Sequence, residues 1–201
     1  MATFAYARRI PNSLSTTRRN TTGTDTMTTA TDTDTPRIYV ACLASYNAGI
    51  LHGEWIDATD ADVIREAIAN MLAKSRQLIA EEWAIHDYEN FGGLRLSEWE
   101  DLDKVAELGA LIEEHGEAFA AYADNVGVDH ATEEGFQEAY CGEWDSERAY
   151  AENLFDELYL HDVPEHVQSY IDYDAFARDV FMGDNYSVTG ESGCLYVFRN
   201  C

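Results

Sequence analysis

The sequence is poor in basic residues. Of its 201 residues, 13 are Lys or Arg and 38 are Asp or Glu, so the formal net charge is −25 at pH 7. Only Lys74 and Lys104 are lysines. Because carboxyl groups have reference pKa values of about 4, nearly all of these acids are ionised at neutral pH. A chain of this charge repels nucleic acid and anionic membrane surfaces, and it favours a basic partner instead.

Features that define several other protein classes are also missing. The four cysteines form no CxxC pair, which favours reduced thiols in a cytosolic protein over a disulfide scaffold. No apolar run approaches the roughly 18 residues of a membrane span. There is no phosphate-binding glycine loop, because Gly92-Gly93 is not followed by Lys and Ser or Thr, and GxGxxG is absent. The cysteines are Cys42, Cys141, Cys194 and Cys201.

Side chains that serve in catalysis or metal binding do not stand at useful spacings. His161 and His166 are five positions apart, whereas a zinc-binding HExxH pair needs four. The acidic segment 57–62 lacks the spacing and the glycine of a calcium loop. His86 beside Asp87 is half of a general-base dyad, but no nucleophile motif lies near it. We therefore predict no catalytic residue, no metal site, no cofactor and no enzyme activity.

The acids are concentrated in residues 81–191. This stretch holds 30 Asp and Glu residues and four basic ones, a net charge of 30 − 4 = 26 negative charges. Aromatic residues such as Phe119, Phe136 and Phe155 are distributed through it, whereas disordered acidic tracts are poor in aromatics. A net charge of about 2 to 8 keeps a small domain soluble, so solubility alone does not account for this value. The stretch predicts a folded scaffold with a densely charged surface.

The first 35 residues differ from the rest in composition. Residues 1–24 contain four arginines and no acid, and residues 25–35 are rich in Thr and Asp. We interpret residues 1–35 as a disordered leader or as the product of a start codon assigned too early, with Met27 as the alternative first residue. A targeting peptide is the other interpretation.

Residues 36–96 predict a small α+β domain. Asp60 is expected to cap a helix whose apolar residues follow helical spacing from Val63 to Leu72. Gly92-Gly93 ends the unit. We expect a three-stranded antiparallel sheet packed with this helix. The three strands have the β-branched and aromatic content typical of strands and span residues 38–43, 50–56 and 82–88.

Residues 97–130 predict a helical hairpin. Ser97 and Glu100 have the spacing of a capping box that opens the first helix, and Trp99 is expected on the buried side of that helix. Gly116 ends it, and a second short helix follows. The opposite side of the first helix carries a row of carboxylates, namely Glu100, Asp103, Glu107 and Glu114.

Residues 131–201 predict helices followed by an antiparallel hairpin. Helices are expected over 132–140 and, capped by Ser146, over 146–160. A further helix begins at Pro164, and Tyr170 belongs to the apolar face of the last helical piece. The closing hairpin consists of strands 186–188 and 194–198.

Three blocks of the sequence carry a recognisable pattern. They are IYVA at 38–41 with YNAG at 46–49 and GEW at 53–55, EWAIHDYE at 82–89, and VPEHVQSYIDYDAFARD at 163–179. In these blocks the chain resembles the ArdA antirestriction proteins. The blocks keep the order of that family and cover the chain from about residue 37 to its end.

The resemblance implies a cytoplasmic, elongated and acidic homodimer of three small domains, α+β overall with a helical central domain, that imitates bent B-form DNA. Such a protein occupies the DNA groove of type I restriction-modification enzymes, at the methyltransferase core, and mobile elements use it to protect incoming DNA. The antirestriction motif of the family would fall between Leu102 and Tyr122. Two other functions stay open: an acidic decoy or chaperone for another basic DNA-binding protein, and an enzyme adapted to high salt.

The density of charge needed to imitate DNA sets a condition on the surface. B-DNA carries one negative charge per about 1.7 Å of axis, whereas one row of carboxylates on a helix supplies one charge per turn of about 5.4 Å. Several rows on adjacent helices are therefore required. We predict that the following carboxylates bind the partner: Glu98, Glu100, Asp101, Asp103, Glu107, Glu113, Glu114, Glu117, Glu133, Glu134, Glu138, Glu147, Glu152, Asp156 and Glu157.

Overall fold

A computed structural model describes residues 35–200 of the protein. These residues form two three-stranded antiparallel sheets and eight α-helices, which confirms the α+β class. Nearly all of the leader predicted for residues 1–35 lies outside the described residues.

The first sheet contains the three strands predicted for the N-terminal region. β1 (Arg37–Cys42) is the central strand, and β2 (Gly53–Asp57) and β3 (Trp83–Glu89) pair with it in antiparallel fashion. Ile38 and Val40 alternate along β1 and are fully buried. This period of two places one face of the sheet in the core.

Two helices accompany this sheet. α1 (Leu43–Asn47) has only five residues, too few for helical periodicity to be read from the sequence, and it was not predicted. α2 (Ala61–Ala73) begins after Asp60, whose carboxylate accepts backbone hydrogen bonds at 2.8 and 3.1 Å, as predicted. Val63 is 54% exposed rather than buried, because the core side of α2 is narrower than the apolar pattern suggests. That side consists of Ile64, Ile68 and Met71.

The first helix of the central hairpin begins later than predicted. α3 (Leu102–His115) starts after Asp101, whose carboxylate accepts backbone hydrogen bonds at 2.9 and 3.2 Å. One of the two contacts of a capping box exists, since the backbone N–H of Ser97 donates to Glu100 Oε2 at 3.3 Å, whereas the Ser97 hydroxyl accepts from the N–H of Trp99. They close a turn instead of opening a helix. The predicted start at Ser97 was wrong because Asp101 satisfies the free N–H groups of the first turn.

Trp99 therefore lies outside the helix that was predicted to bury it. Its side chain is 65% exposed, and it sits in the turn that precedes α3. The turn is attached to β3, because the backbone N–H of Ile85 donates to the carbonyl of Glu98 at 3.1 Å. Trp99 is thus displayed from a fixed position at the edge of the first sheet.

The hairpin itself forms as predicted. α3 ends at Gly116, which has a φ of +67°, and α4 (Glu117–Val126) follows and packs against α3. Gly109, in the middle of α3, meets the chain that leaves β2. A Cβ atom there would stand 1.9 Å from the carbonyl oxygen of Ala58, so only glycine permits this approach of helix and sheet.

The second sheet contains one strand more than predicted. The expected hairpin is present as β5 (Asn185–Thr189) and β6 (Leu195–Arg199), but β4 (Tyr140–Trp144) pairs with the other side of β6. The predicted helix over 132–140 ends at Ala139. The sequence of β4 shows no alternation of apolar and polar residues, because none of its residues is fully buried. The pairing is also interrupted by a bulge next to Gly142, which has a φ of +107°.

The remaining helices lie beside the second sheet. α5 (Glu133–Ala139) precedes β4, and α6 (Glu147–Leu158) begins at Ser146 as predicted. Tyr170 precedes the last helix and is 83% exposed, so its assignment to the apolar face was wrong. A 3₁₀ turn at Leu160–Asp162 connects α6 to the short α7 (Glu165–Gln168), and α8 (Tyr173–Gly183) packs against α6.

One hydrophobic core contacts both sheets. Buried residues of the first sheet join those of the second through the central hairpin, including Leu108 and Phe119. Phe136 lies in the middle of an aromatic cluster, with its ring centroid 5.4 Å from that of Phe119 and 6.4 Å from that of Phe198. The domain boundaries at residues 96 and 130 stay predictions.

Candidate partner-binding surface

The central hairpin displays its predicted carboxylates on one side of α3. The buried side of this helix includes Val105, Leu108 and Ile112. Helical periodicity places the acids on the side that faces the solvent. All four acids of the helix are exposed, namely Asp103, Glu107, Glu113 and Glu114.

Three predicted carboxylates lie in the segment before α3. Glu98 and Asp101 are exposed, whereas Glu100 is half-buried. Asp101 caps the helix and Glu100 accepts the hydrogen bond from Ser97, so both hold the local backbone while they add charge to the surface.

Glu117 differs from the other predicted carboxylates because it is engaged inside the protein. Its carboxylate accepts hydrogen bonds from the backbone N–H of Ser192 at 2.9 Å, from the Ser192 hydroxyl, and from the Tyr196 hydroxyl at 3.2 Å. Partial burial acts to raise the pKa of Glu117, but the hydrogen bonds from Ser192 and Tyr196 outweigh it and hold the pKa below its ordinary value. This carboxylate ties the start of α4 to the hairpin of the second sheet.

The predicted carboxylates of α5 and α6 are all exposed. Asp156 accepts a hydrogen bond from the Tyr173 hydroxyl at 2.6 Å, and this bond raises the pKa of Tyr173 to about 12. Glu147 accepts a hydrogen bond from the Ser187 hydroxyl at 2.8 Å. The two helices therefore carry a second group of surface charges: Glu133, Glu134, Glu138, Glu147, Glu152, Asp156 and Glu157.

Few cations neutralise these acids. Arg65 pairs with Asp103, and Lys104 pairs with Glu107 at 3.1 Å. In residues 35–200 most carboxylates have no Lys or Arg within ion-pair distance. The surface charge is therefore largely uncompensated, and the exposed pairs that do exist contribute little to stability.

Two clefts of the described surface contain several charged residues. One, next to α6 and α8, has a volume of about 580 Å³ and includes the acids Glu147, Asp172 and Asp174 together with Arg148 and Arg178. A cleft of about 520 Å³ contains Glu113 and Glu117. Within residues 35–200, no group of three or more His, Cys, Asp or Glu side chains is placed to hold a metal ion.

The candidate dyad lies on the surface, and the cysteines of the described residues form no disulfide. His86 is exposed, and its ring lies edge-on to Tyr46 with a centroid distance of 4.8 Å. The three cysteines of the described part, Cys42, Cys141 and Cys194, are free thiols. No helix in residues 35–200 has both the length and the apolar character to cross a membrane.

Sequence reasoning missed one group of surface residues. Glu81 and Glu82 lie beside Trp83 and Trp99 and line a groove with them. Glu81 and Glu82 were not selected because they stand at the start of a predicted strand and do not belong to a row of acids along a helix. The available signal was their position next to a tryptophan at the start of β3.

The fold and the surface together define a class of protein: an α+β scaffold that displays many uncompensated carboxylates. The sequence model of one family, the antirestriction protein ArdA, matches residues 38–194 of the 201. The chain therefore belongs to the ArdA antirestriction family, which supports an antirestriction role through interaction with restriction enzymes. A search among curated proteins found no matching sequence.

Proposed function

We propose that the protein is a DNA mimic that occupies the DNA-binding groove of type I restriction-modification enzymes and inhibits restriction. The observation that carries this proposal is the exposure of carboxylates on α3, α5 and α6, where Asp103 and Glu107 pair with a cation but most of the others have no Lys or Arg within ion-pair distance. These helices supply several rows of charge, which a single helix lacks. In the complex, carboxylates would stand where DNA phosphates stand and meet Lys and Arg side chains of the enzyme.

The remaining parts of the proposal follow from the family. We infer that the partner surface is the methyltransferase core, that the protein acts as a homodimer in the cytoplasm, and that a mobile element uses it to protect incoming DNA. It acts by binding and catalyses no reaction. Because the attraction is electrostatic, association is fast at low salt and weakens as salt rises.

The proposal predicts competition with DNA for a type I methyltransferase. We expect the protein to displace a labelled duplex in a fluorescence anisotropy titration, with an affinity that falls steeply between 50 and 200 mM salt. Simultaneous binding of DNA and protein, without mutual weakening, would rule out mimicry.

Two variants with equal loss of charge locate the surface. The first, E114Q/E134Q/E138Q/E157Q, neutralises predicted carboxylates that are exposed. At about 0.5 kcal/mol per exposed charge pair, it should bind about thirtyfold more weakly. The control, E54Q/E66Q/E165Q/D179N, removes four exposed acids outside the predicted set and should lose much less. Equal losses would mean that net charge alone acts, as in an acidic decoy.

A further inference from the structure

An exposed aromatic groove lies where β3 begins. Glu81, Glu82, Trp83 and Trp99 line this Trp83–Trp99 groove, which has a volume of about 360 Å³. Trp83 is half-buried against the core, whereas Trp99 is 65% exposed. A tryptophan with so much apolar surface in water is a typical feature of an interaction site.

The backbone that carries Trp99 is held in place before any partner binds. Its backbone N–H donates to Ser97 Oγ at 3.3 Å, and Glu100 closes the same turn with a hydrogen bond to the Ser97 backbone. The carbonyl of Glu98 accepts from Ile85 of β3 at 3.1 Å. A side chain on a backbone that is already ordered leaves only its own rotamers to be fixed on binding, which lowers the entropy cost of an anchor residue.

The chemistry of the groove identifies what it binds. Glu81 and Glu82 are exposed beside the two indole rings, and no Lys or Arg of residues 35–200 lines the groove. Indole faces attract cations, and carboxylates pair with them. A planar guanidinium satisfies both conditions at once, because it stacks on an indole ring and donates paired hydrogen bonds to carboxylate oxygens.

We propose that the Trp83–Trp99 groove binds an arginine side chain of the protein partner. This inference rests on the proposed function, in which the partner is a basic DNA-binding enzyme, and it adds one discrete anchor to an otherwise distributed charge. Leu78 and Ile79 are 105% and 73% exposed in the segment that leads to Glu81. Exposed apolar residues in the segment that precedes the groove in the sequence favour an arginine presented on a protein surface over a free amino acid.

Binding to the methyltransferase tests the anchor. W99A should weaken binding about tenfold, because a hot-spot tryptophan contributes far more than an average contact. The control Y170A removes an aromatic side chain that is 83% exposed elsewhere, and it should change binding by less than about twofold. E81Q/E82Q should weaken binding more than E165Q/D179N, which removes two exposed charges outside the predicted partner-binding set. Equal effects within each pair would overturn the inference.

A second measurement uses no enzyme. An arginine-containing tripeptide amide should shift the indole N–H signal of Trp99 in an NMR titration, whereas the citrulline peptide, of similar shape and without charge, should not. If W99A is unstable, W99F replaces it in the methyltransferase binding test. It keeps an aromatic ring in the same turn and should retain part of the affinity for the enzyme. Identical shifts with both peptides would overturn the groove. Failure of the wild-type protein to displace DNA, with a selective shift of Trp99, would reject mimicry and keep the groove.

Discussion

Glu117 shows that a carboxylate in an acidic surface can serve the fold. From the sequence it is grouped with the partner-binding acids, because it is charged and lies in the central hairpin, as Glu113 and Glu114 do. In the structure it accepts three hydrogen bonds from Ser192 and Tyr196, which lie 75 and 79 positions further along the chain. Contacts at such separations cannot be read from local sequence patterns.

The lowered pKa of Glu117 predicts a pH-dependent contribution to stability. A carboxyl group with a folded-state pKa below its unfolded value stabilises the protein above the unfolded pKa, and this stabilisation is lost as pH falls through the folded pKa. E117Q should therefore lower the free energy of unfolding by about 1 kcal/mol at pH 7, the value expected for solvent-screened hydrogen bonds to a charge.

Urea denaturation at pH 7 and at acid pH measures this effect. The difference between wild type and E117Q should be complete at pH 7 and should shrink as pH is lowered below 4.5, the ordinary pKa of the group. E114Q removes an exposed acid of the same helix pair and serves as the control for general charge. A difference that grows on acidification would contradict the role given to Glu117.

At the scale of the elements, the start of α3 depends on Asp101 rather than on Ser97. Asp101 accepts hydrogen bonds from the N–H groups of the first turn, whereas the Ser97 hydroxyl accepts one from Trp99 in the preceding turn. D101A should destabilise the protein by about 1 kcal/mol, the usual cost of losing an N-cap. S97A should cost less in the same thermal or urea unfolding experiment. The reverse order would mean that the helix begins at Ser97 in solution.

The sequence predicts elements well where a local rule determines them and poorly where tertiary contacts do. The structure confirms three predicted helix boundaries: the starts at Asp60 and Ser146 and the end at Gly116. They were predictable because capping is a local interaction. β4 was missed, since its pairing with β6 depends on residues more than fifty positions away. Trp99 was placed in the helix for a related reason. It continues the helical spacing of the apolar residues in α3, so spacing alone does not show that it belongs to the turn before the helix.

At the scale of the whole molecule, the uncompensated charge predicts a stability that depends on ionic strength. Residues 35–200 carry 35 acids and 9 Lys or Arg residues, a difference of 35 − 9 = 26. Repulsion among these charges opposes the compact state, and it is screened as the Debye length falls from about 30 Å at 0.01 M salt to about 10 Å at 0.1 M. The melting temperature should therefore rise by several degrees over this range of NaCl.

The variant E114Q/E134Q/E138Q/E157Q provides the comparison for this experiment. With four charges fewer, it should melt at a higher temperature than wild type at 0.01 M NaCl and should gain less from added salt. A melting temperature of the wild-type protein that stays constant or falls as NaCl is added would show that repulsion does not limit its stability.

Gly109 has a consequence for the direction of the charges. Its backbone touches the Ala58 carbonyl, and this contact fixes the roll of α3 about its own axis. A shift by one residue would rotate the helix by about 100°, bring a side chain against that carbonyl, and change the direction in which Asp103 and Glu107 point. The absence of a Cβ atom at this one position therefore determines which way the whole row of anions on α3 is oriented.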